Sequence, residues 1–149
     1  VMTVGSFLAV LQLRAADGTM IEDIAGLSGL SKSRPGLATA LAIFMFSLAG
    51  IPPLFGFWPK LMVFQAAIAT NMLPLALIGA IASVIGAFYY LRVIKVMWFD
   101  PPADVAIPVS GGLVERGLMA VAALYVSVAG FLLIEPLTAA TLRAAESFL

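Results

Sequence analysis

The chain has 149 residues, of which 62% are hydrophobic and only 11% charged, and its mean hydropathy is +1.10. That lies far outside the range of soluble globular domains, so a membrane protein is expected. Eight basic and eight acidic residues cancel, and there is no cysteine or histidine, which excludes a basic face for nucleic acid, a disulfide framework, Cys/His metal sites and a redox centre built from these residues alone.

In chain order, residues 1–13 are apolar and uncharged. Thirteen residues rise only about 20 Å as a helix, short of a hydrocarbon core of about 30 Å, so this stretch reads as the end of a transmembrane span. The chain opens on Val1-Met2-Thr3 inside that apolar run, which predicts a C-terminal piece of a longer polytopic protein. Residues 14–35 hold Arg14, Lys32 and Arg34, the acids Asp17, Glu22 and Asp23, and several glycines and serines. They predict an extramembrane connector with a short helix around 21–27.

Residues 36–70 are apolar but interrupted. Pro35 suits a first helical turn, Gly50 and the Pro52-Pro53 pair stop the helix, and Pro59 suits the first turn of a second one. The break is placed at 51–57, with Gly50, Pro52, Pro53 and Gly56 as its marker residues. After a turn at Asn71, a span over 74–99 carries Gly79, Ser83 and Gly86, small residues suited to close helix contact, then Tyr89-Tyr90, Arg92, Lys95 and Trp98. A proline-rich loop follows over 100–112, then a last span over 113–134 and a tail over 135–149. The fold class is all-α, a polytopic bundle of transmembrane helices with one discontinuous helix.

Each half of the 36–70 segment holds about 15 residues, and a full span needs about 17 or more, so length favours a single broken crossing. The distribution of basic residues agrees. One crossing places Arg14, Lys32, Arg34, Arg92, Lys95 and Arg116 on the same, cytoplasmic side, whereas two crossings erase the asymmetry. The connector and the 100–112 loop are then cytoplasmic and the tail is on the outer side.

Lys60 is the only charged residue between Pro35 and Leu91. It falls about 15 Å from the outer boundary, near mid-membrane, where snorkelling to the headgroups is difficult. Burial disfavours the charged form of a lysine and nearby negative charge restores it, so a lysine so placed suits a proton relay. The plainer reading is a lysine that caps or snorkels closer to the interface. Tyr90 and Lys95 are candidates for a polar path, although an interfacial anchor explains Tyr89-Tyr90 and a topology signal explains Arg92 and Lys95. Ser47, Ser83 and Thr39 are expected to donate to backbone carbonyls or to water.

The run Ser47-Leu48-Ala49-Gly50-Ile51-Pro52-Pro53-Leu54-Phe55-Gly56-Phe57-Trp58-Pro59-Lys60, followed by Tyr89-Tyr90-Leu91-Arg92-Val93, resembles the antiporter-like membrane subunits of respiratory complex I over about residues 1–99. The resemblance implies the second half of an inverted-repeat fold, with Lys60 at the position of the family's proton-relaying lysine on a broken helix. It implies a multi-pass inner-membrane subunit whose partners are other membrane subunits and the lipid bilayer. No cofactor belongs to this chain under that reading; NAD, flavin, iron-sulfur and quinone sit in other subunits of the complex. A multisubunit sodium/proton antiporter and a structural scaffold are the competing readings.

Overall fold

A computed structural model of the chain describes residues 1–15, 18–21, 23–102, 112–129, 132, 139–141 and 143. Asp17 and Glu22 of the connector, most of the 100–112 loop, and much of the expected last span and tail beyond residue 129 lie outside the described residues. The described part is helical. Its only extended pairing is an isolated antiparallel bridge between Arg14 and Met20, at the start of the connector.

Helix α1 covers Met2–Leu11. The connector carries a 3-10 turn at Ile24–Leu27 and a single helical turn, α2, at Leu30–Ser33. The 3-10 turn is shorter than the helix expected at 21–27. Asp23 is extended just before it, at φ −94° and ψ 140°, and Ser28 leaves the helical region just after it, at ψ 125°. Helix α3 runs Pro35–Ala49 and α4 runs Phe57–Ala69. Pro35 occupies the first position of α3 and Pro59 the third of α4, where neither proline removes an intrahelical hydrogen bond.

Helix α5, Leu73–Phe99, starts one residue earlier than the 74–99 span, because Pro74 sits within its first turn. Helix α6, Leu113–Leu124, continues into a π-helical segment at Tyr125–Ala129.

Contacts along the helices set their directions. Phe44 covers Gly5, Ser47 meets Met2, and Arg34 Nη1 donates to the Gln12 carbonyl at 2.9 Å, so α1 lies antiparallel to α3. Gln12 Nε2 reaches Met119 Sδ midway along α6, while Phe55 N–H donates to the Val126 carbonyl just past its C-terminal end. Helix α6 therefore runs in the same direction as α3. Helix α5 packs along both halves of the interrupted segment: its C-terminal Ile94, Trp98 and Phe99 face Thr39, Ala42, Ile43 and Phe46 of α3, and its Gly79 faces Phe64 of α4. At 27 residues it rises about 40 Å, close to the combined rise of the 15-residue α3 and 13-residue α4.

The connector and the end of α5 meet at one end of the bundle, where Gly29 N–H donates to the Val96 carbonyl at 3.3 Å and Pro102 lies against Gly29. The core extends from there along α3 toward the break. Leu13, Leu30, Leu37, Leu41, Phe44, Ile94, Met97, Met119 and Val126 pack together, whereas α4 has no buried residue.

Helix α5 is the one described helix long and apolar enough to cross a membrane. It is apolar on every side yet mostly uncovered, with Leu77, Ile78, Ile81, Val84 and Phe88 all exposed. A helix of that composition belongs against lipid or other protein and not in water.

Candidate functional site at the helix break

A helix end leaves its last four carbonyls without intrahelical donors, and those of α3 fall on Phe46, Ser47, Leu48 and Ala49. Gly50 follows in the left-handed conformation, φ +85° and ψ +38°. That conformation is accessible to glycine at no steric cost, and it turns the chain back over the last turn. Gly50 N–H donates to the Ser47 and Phe46 carbonyls at 3.0 and 3.1 Å, and Ile51 N–H reaches the Phe46 carbonyl at 3.1 Å. This Schellman pairing uses the first two carbonyls and leaves those of Leu48 and Ala49 facing outward along the axis.

Lys60 takes both. It sits in the first turn of α4, and its Nζ donates to the Leu48 carbonyl at 2.8 Å and to the Ala49 carbonyl at 3.1 Å. The ammonium thus rests on the negative end of the α3 dipole. Its side chain is half-buried and crosses over Gly50, where an added Cβ would lie 3.0 Å from Lys60 Cδ. Two of the three ammonium donors are engaged, which leaves one N–H without a hydrogen bond among the described residues.

Every backbone N–H across the break is accounted for. Leu54 donates to Ile51 and Phe57 to Leu54, Phe55 crosses to Val126 in the π-helical segment after α6 at 3.1 Å, and Gly56 donates to the Ser47 hydroxyl at 3.0 Å. Pro52 and Pro53, joined by a cis peptide bond, have no N–H. They occupy the exposed edge of the break, so the side least covered by protein presents no orphaned donor. Gly56 has ordinary helical angles, and its requirement for glycine is one of space: an added Cβ would lie 1.8 Å from the Ser47 carbonyl oxygen. Phe55 and Tyr125 rings, 5.8 Å apart, close the α6 side.

Of the candidate residues, Lys60, Gly50, Pro52, Pro53 and Gly56 therefore meet in one place. Lys95 is not among them. It lies near the end of α5, 63% exposed, in an ion pair with Asp100 at 2.6 Å. Tyr90 is half-buried on α5 near Gly86, and it makes no hydrogen bond to Lys60 or Lys95. Thr39 donates to the Pro35 carbonyl at 2.8 Å, the ordinary role of a hydroxyl in a helix.

Ser47 departs from its expected role: fully buried, it accepts from Gly56 and contacts Met2 Sδ instead of bonding back to its own helix. No pattern in the sequence flags it, because its partner is a backbone group on the far side of an irregular segment. Outside the break, Arg34 is buried at the start of α3. Burial, and then the like charge of Arg116, hold its guanidinium below the usual arginine value.

Residues 1–86 match a family described as NADH:quinone oxidoreductase/Mrp antiporter, transmembrane. The chain is 56% identical to NADH-quinone oxidoreductase subunit N of Rhizorhabdus wittichii over 146 residues, covering 98% of this chain and 30% of that protein. It is 53% identical to the subunit N of Sphingopyxis alaskensis, covering 98% and 31%, and 48% identical to subunit N 1 of Rhizobium meliloti, covering 99% and 30%. A chain of respiratory complex I from Thermus thermophilus with bound aureothin has a similar fold, with a TM-score of 0.72 at 27% identity, covering 88% of this chain and 30% of that one. The chain thus spans about 30% of the length of the relatives it matches.

Proposed function

The chain belongs to the NADH:quinone oxidoreductase/Mrp antiporter family of transmembrane proteins, and on that premise we propose that it serves within a proton-translocating membrane subunit of NADH:quinone oxidoreductase. Lys60 relays a proton at the broken helix, and quinone reduction in other subunits supplies the driving force. Under this reading NAD, flavin, iron-sulfur and quinone are bound by those other subunits. The partners of this chain are neighbouring membrane subunits and inner-membrane lipid.

The observation that carries the reading is the seat of Lys60 on the Leu48 and Ala49 carbonyls. A lysine capping a helix that ends at a membrane surface would be unremarkable chemistry. Here α3, the break and α4 together form one discontinuous crossing in the second half of an inverted-repeat fold, which puts the capped end inside the membrane.

Three relationships support the single crossing. Helix α5 alone matches the combined rise of α3 and α4 and packs along both. Helix α6 runs in the same direction as α3, which one crossing requires and two would reverse. The connector and the end of α5 meet at the same end of the bundle, which gathers the basic residues on one side. Tyr90 and Lys95 enter only as a second stretch of polar path; the ion pair between Lys95 and Asp100 favours a boundary anchor for that lysine.

Arginine separates a relay from a cap, because its guanidinium keeps the positive charge at the helix end and does not give up its proton. In the full-length subunit within its assembled complex, Lys60→Arg should leave assembly intact and reduce NADH-driven proton pumping several-fold. Wild-type pumping by that variant would leave Lys60 as a cap alone. A flavin and iron-sulfur arm co-purifying with the subunit supports the oxidoreductase; sodium-dependent exchange without that arm would assign the chain to an antiporter instead.

A further inference from the structure

We propose that Ser47 is the positioning residue for Lys60: its buried hydroxyl fixes the first turn of α4 against the last turn of α3, and so holds the ammonium over the Leu48 and Ala49 carbonyls. The inference rests on Lys60 being the relay and concerns how its geometry is maintained.

Other hydroxyls in the chain show what a serine or threonine in a helix ordinarily does. Ser6 donates to the carbonyl of Met2, Thr39 to that of Pro35 and Thr70 to that of Ala66, each four residues back. Ser47 does none of this. It is fully buried, it accepts the Gly56 N–H at 3.0 Å, and its own hydrogen points to Met2 Sδ on α1 at 2.7 Å. One side chain thereby joins α3, the turn leading into α4, and α1.

The turn it holds is the one that carries Lys60. Gly56 immediately precedes α4, and Lys60 is the fourth residue of that helix. Gly56 is pressed against the Ser47 carbonyl so closely that no Cβ fits between them. Close packing resists compression of the two helix ends, and the Gly56 to Ser47 hydrogen bond resists their separation. Besides the Lys60 contacts themselves, a bond from Phe55 N–H to the Val126 carbonyl joins α4's approach to the π-helical segment after α6 and does not set its distance from α3. Apart from Lys60 itself, Ser47 Oγ is the side chain in these ties, so a substitution can remove it without altering the backbone or the lysine.

Two readouts in the assembled complex test the assignment, one of which is independent of turnover. The first is the rate at which acetic anhydride, a small membrane-permeant reagent, acetylates Lys60, followed by mass spectrometry. Ser47→Ala should raise that rate several-fold, because the amine leaves its carbonyl seat more often, and Ser47→Thr, which retains the hydroxyl, should return it toward wild type. The second is proton pumping, which should fall several-fold in Ser47→Ala and recover in Ser47→Thr.

Unchanged acetylation in Ser47→Ala overturns the assignment whatever happens to pumping. If Lys60→Arg pumps normally while Ser47→Ala still exposes the amine, the relay reading fails and the positioning relationship stands. Should Ser47→Ala not assemble, Ser47→Cys, with a weaker acceptor of similar size, carries the same expectation in smaller amplitude, and wild-type acetylation in it would refute the role.

Discussion

The Nζ of Lys60 lies 2.8 Å from the carbonyl oxygen of Leu48, across a break that separates the helices bearing the two residues. The lysine is on α4 and its acceptor on α3, so the contact joins two helices. Replacing the lysine affects both charge and that junction. Lys60→Met, which keeps the length of the stem, should lower the stability of the folded subunit by about 1–2 kcal/mol, the worth of a partly buried cation at a helix C-terminus. Thermal denaturation of the purified complex would reveal the loss; an unchanged transition would mean that the α3 carbonyls find another donor at no cost.

Gly50→Ala tests the turn. A non-glycine residue in the left-handed conformation costs about 1–2 kcal/mol, and the new methyl would also stand 3.0 Å from Lys60 Cδ. Asparagine tolerates that conformation better than alanine, so Gly50→Asn should retain more of the assembled complex than Gly50→Ala. The reverse order, measured by native electrophoresis, would contradict the role given to φ at this position.

Gly56→Ala tests close approach instead. Overpacking a tight contact costs about 1–3 kcal/mol, and a Cβ 1.8 Å from the Ser47 carbonyl oxygen places this site at the upper end. The backbone must shift, which should weaken assembly and reduce pumping together. A variant that assembles and pumps as wild type would show that α4 can move away from α3 freely.

Lys95→Ala serves as the contrast. The lysine of its ion pair with Asp100 is 63% exposed and the carboxylate 25%, and surface pairs contribute at most about 1 kcal/mol. Stability should therefore barely change. A larger drop in the melting transition would indicate that Lys95 carries more than a boundary contact.

Much of this architecture was legible because proline and glycine act locally. Pro35, Gly50, the Pro52-Pro53 pair and Pro59 each restrict their own backbone, so the ends of α3 and α4 could be read from residue identity. The isolation of Lys60 in an uncharged run was equally plain. Its partner was not, since the Leu48 and Ala49 acceptors are backbone carbonyls that any residue would supply, and only the fold decides which of them are left over.

Ser47 was misread for a related reason. A hydroxyl in a helix ordinarily bonds back one turn, and nothing nearby signals that Gly56, nine positions on, will come within reach. Gly79 and Gly86 looked alike as small residues on α5, yet Gly79 faces Phe64 of α4 while the nearest neighbour of Gly86 is Tyr90 of its own helix. Which face of a uniformly apolar helix meets a neighbour depends on distant contacts.

The seat of Lys60 has one further property. A carboxylate partner could itself take up the proton, and the pair would then neutralise internally. Peptide carbonyls do not titrate in the physiological range, so the pole opposite Lys60 is permanent. Under the proposed relay, control over when the proton leaves would fall to the position of the amine relative to that pole, which would make the gap between α3 and α4, more than any acid dissociation constant, the quantity that a coupled machine has to move.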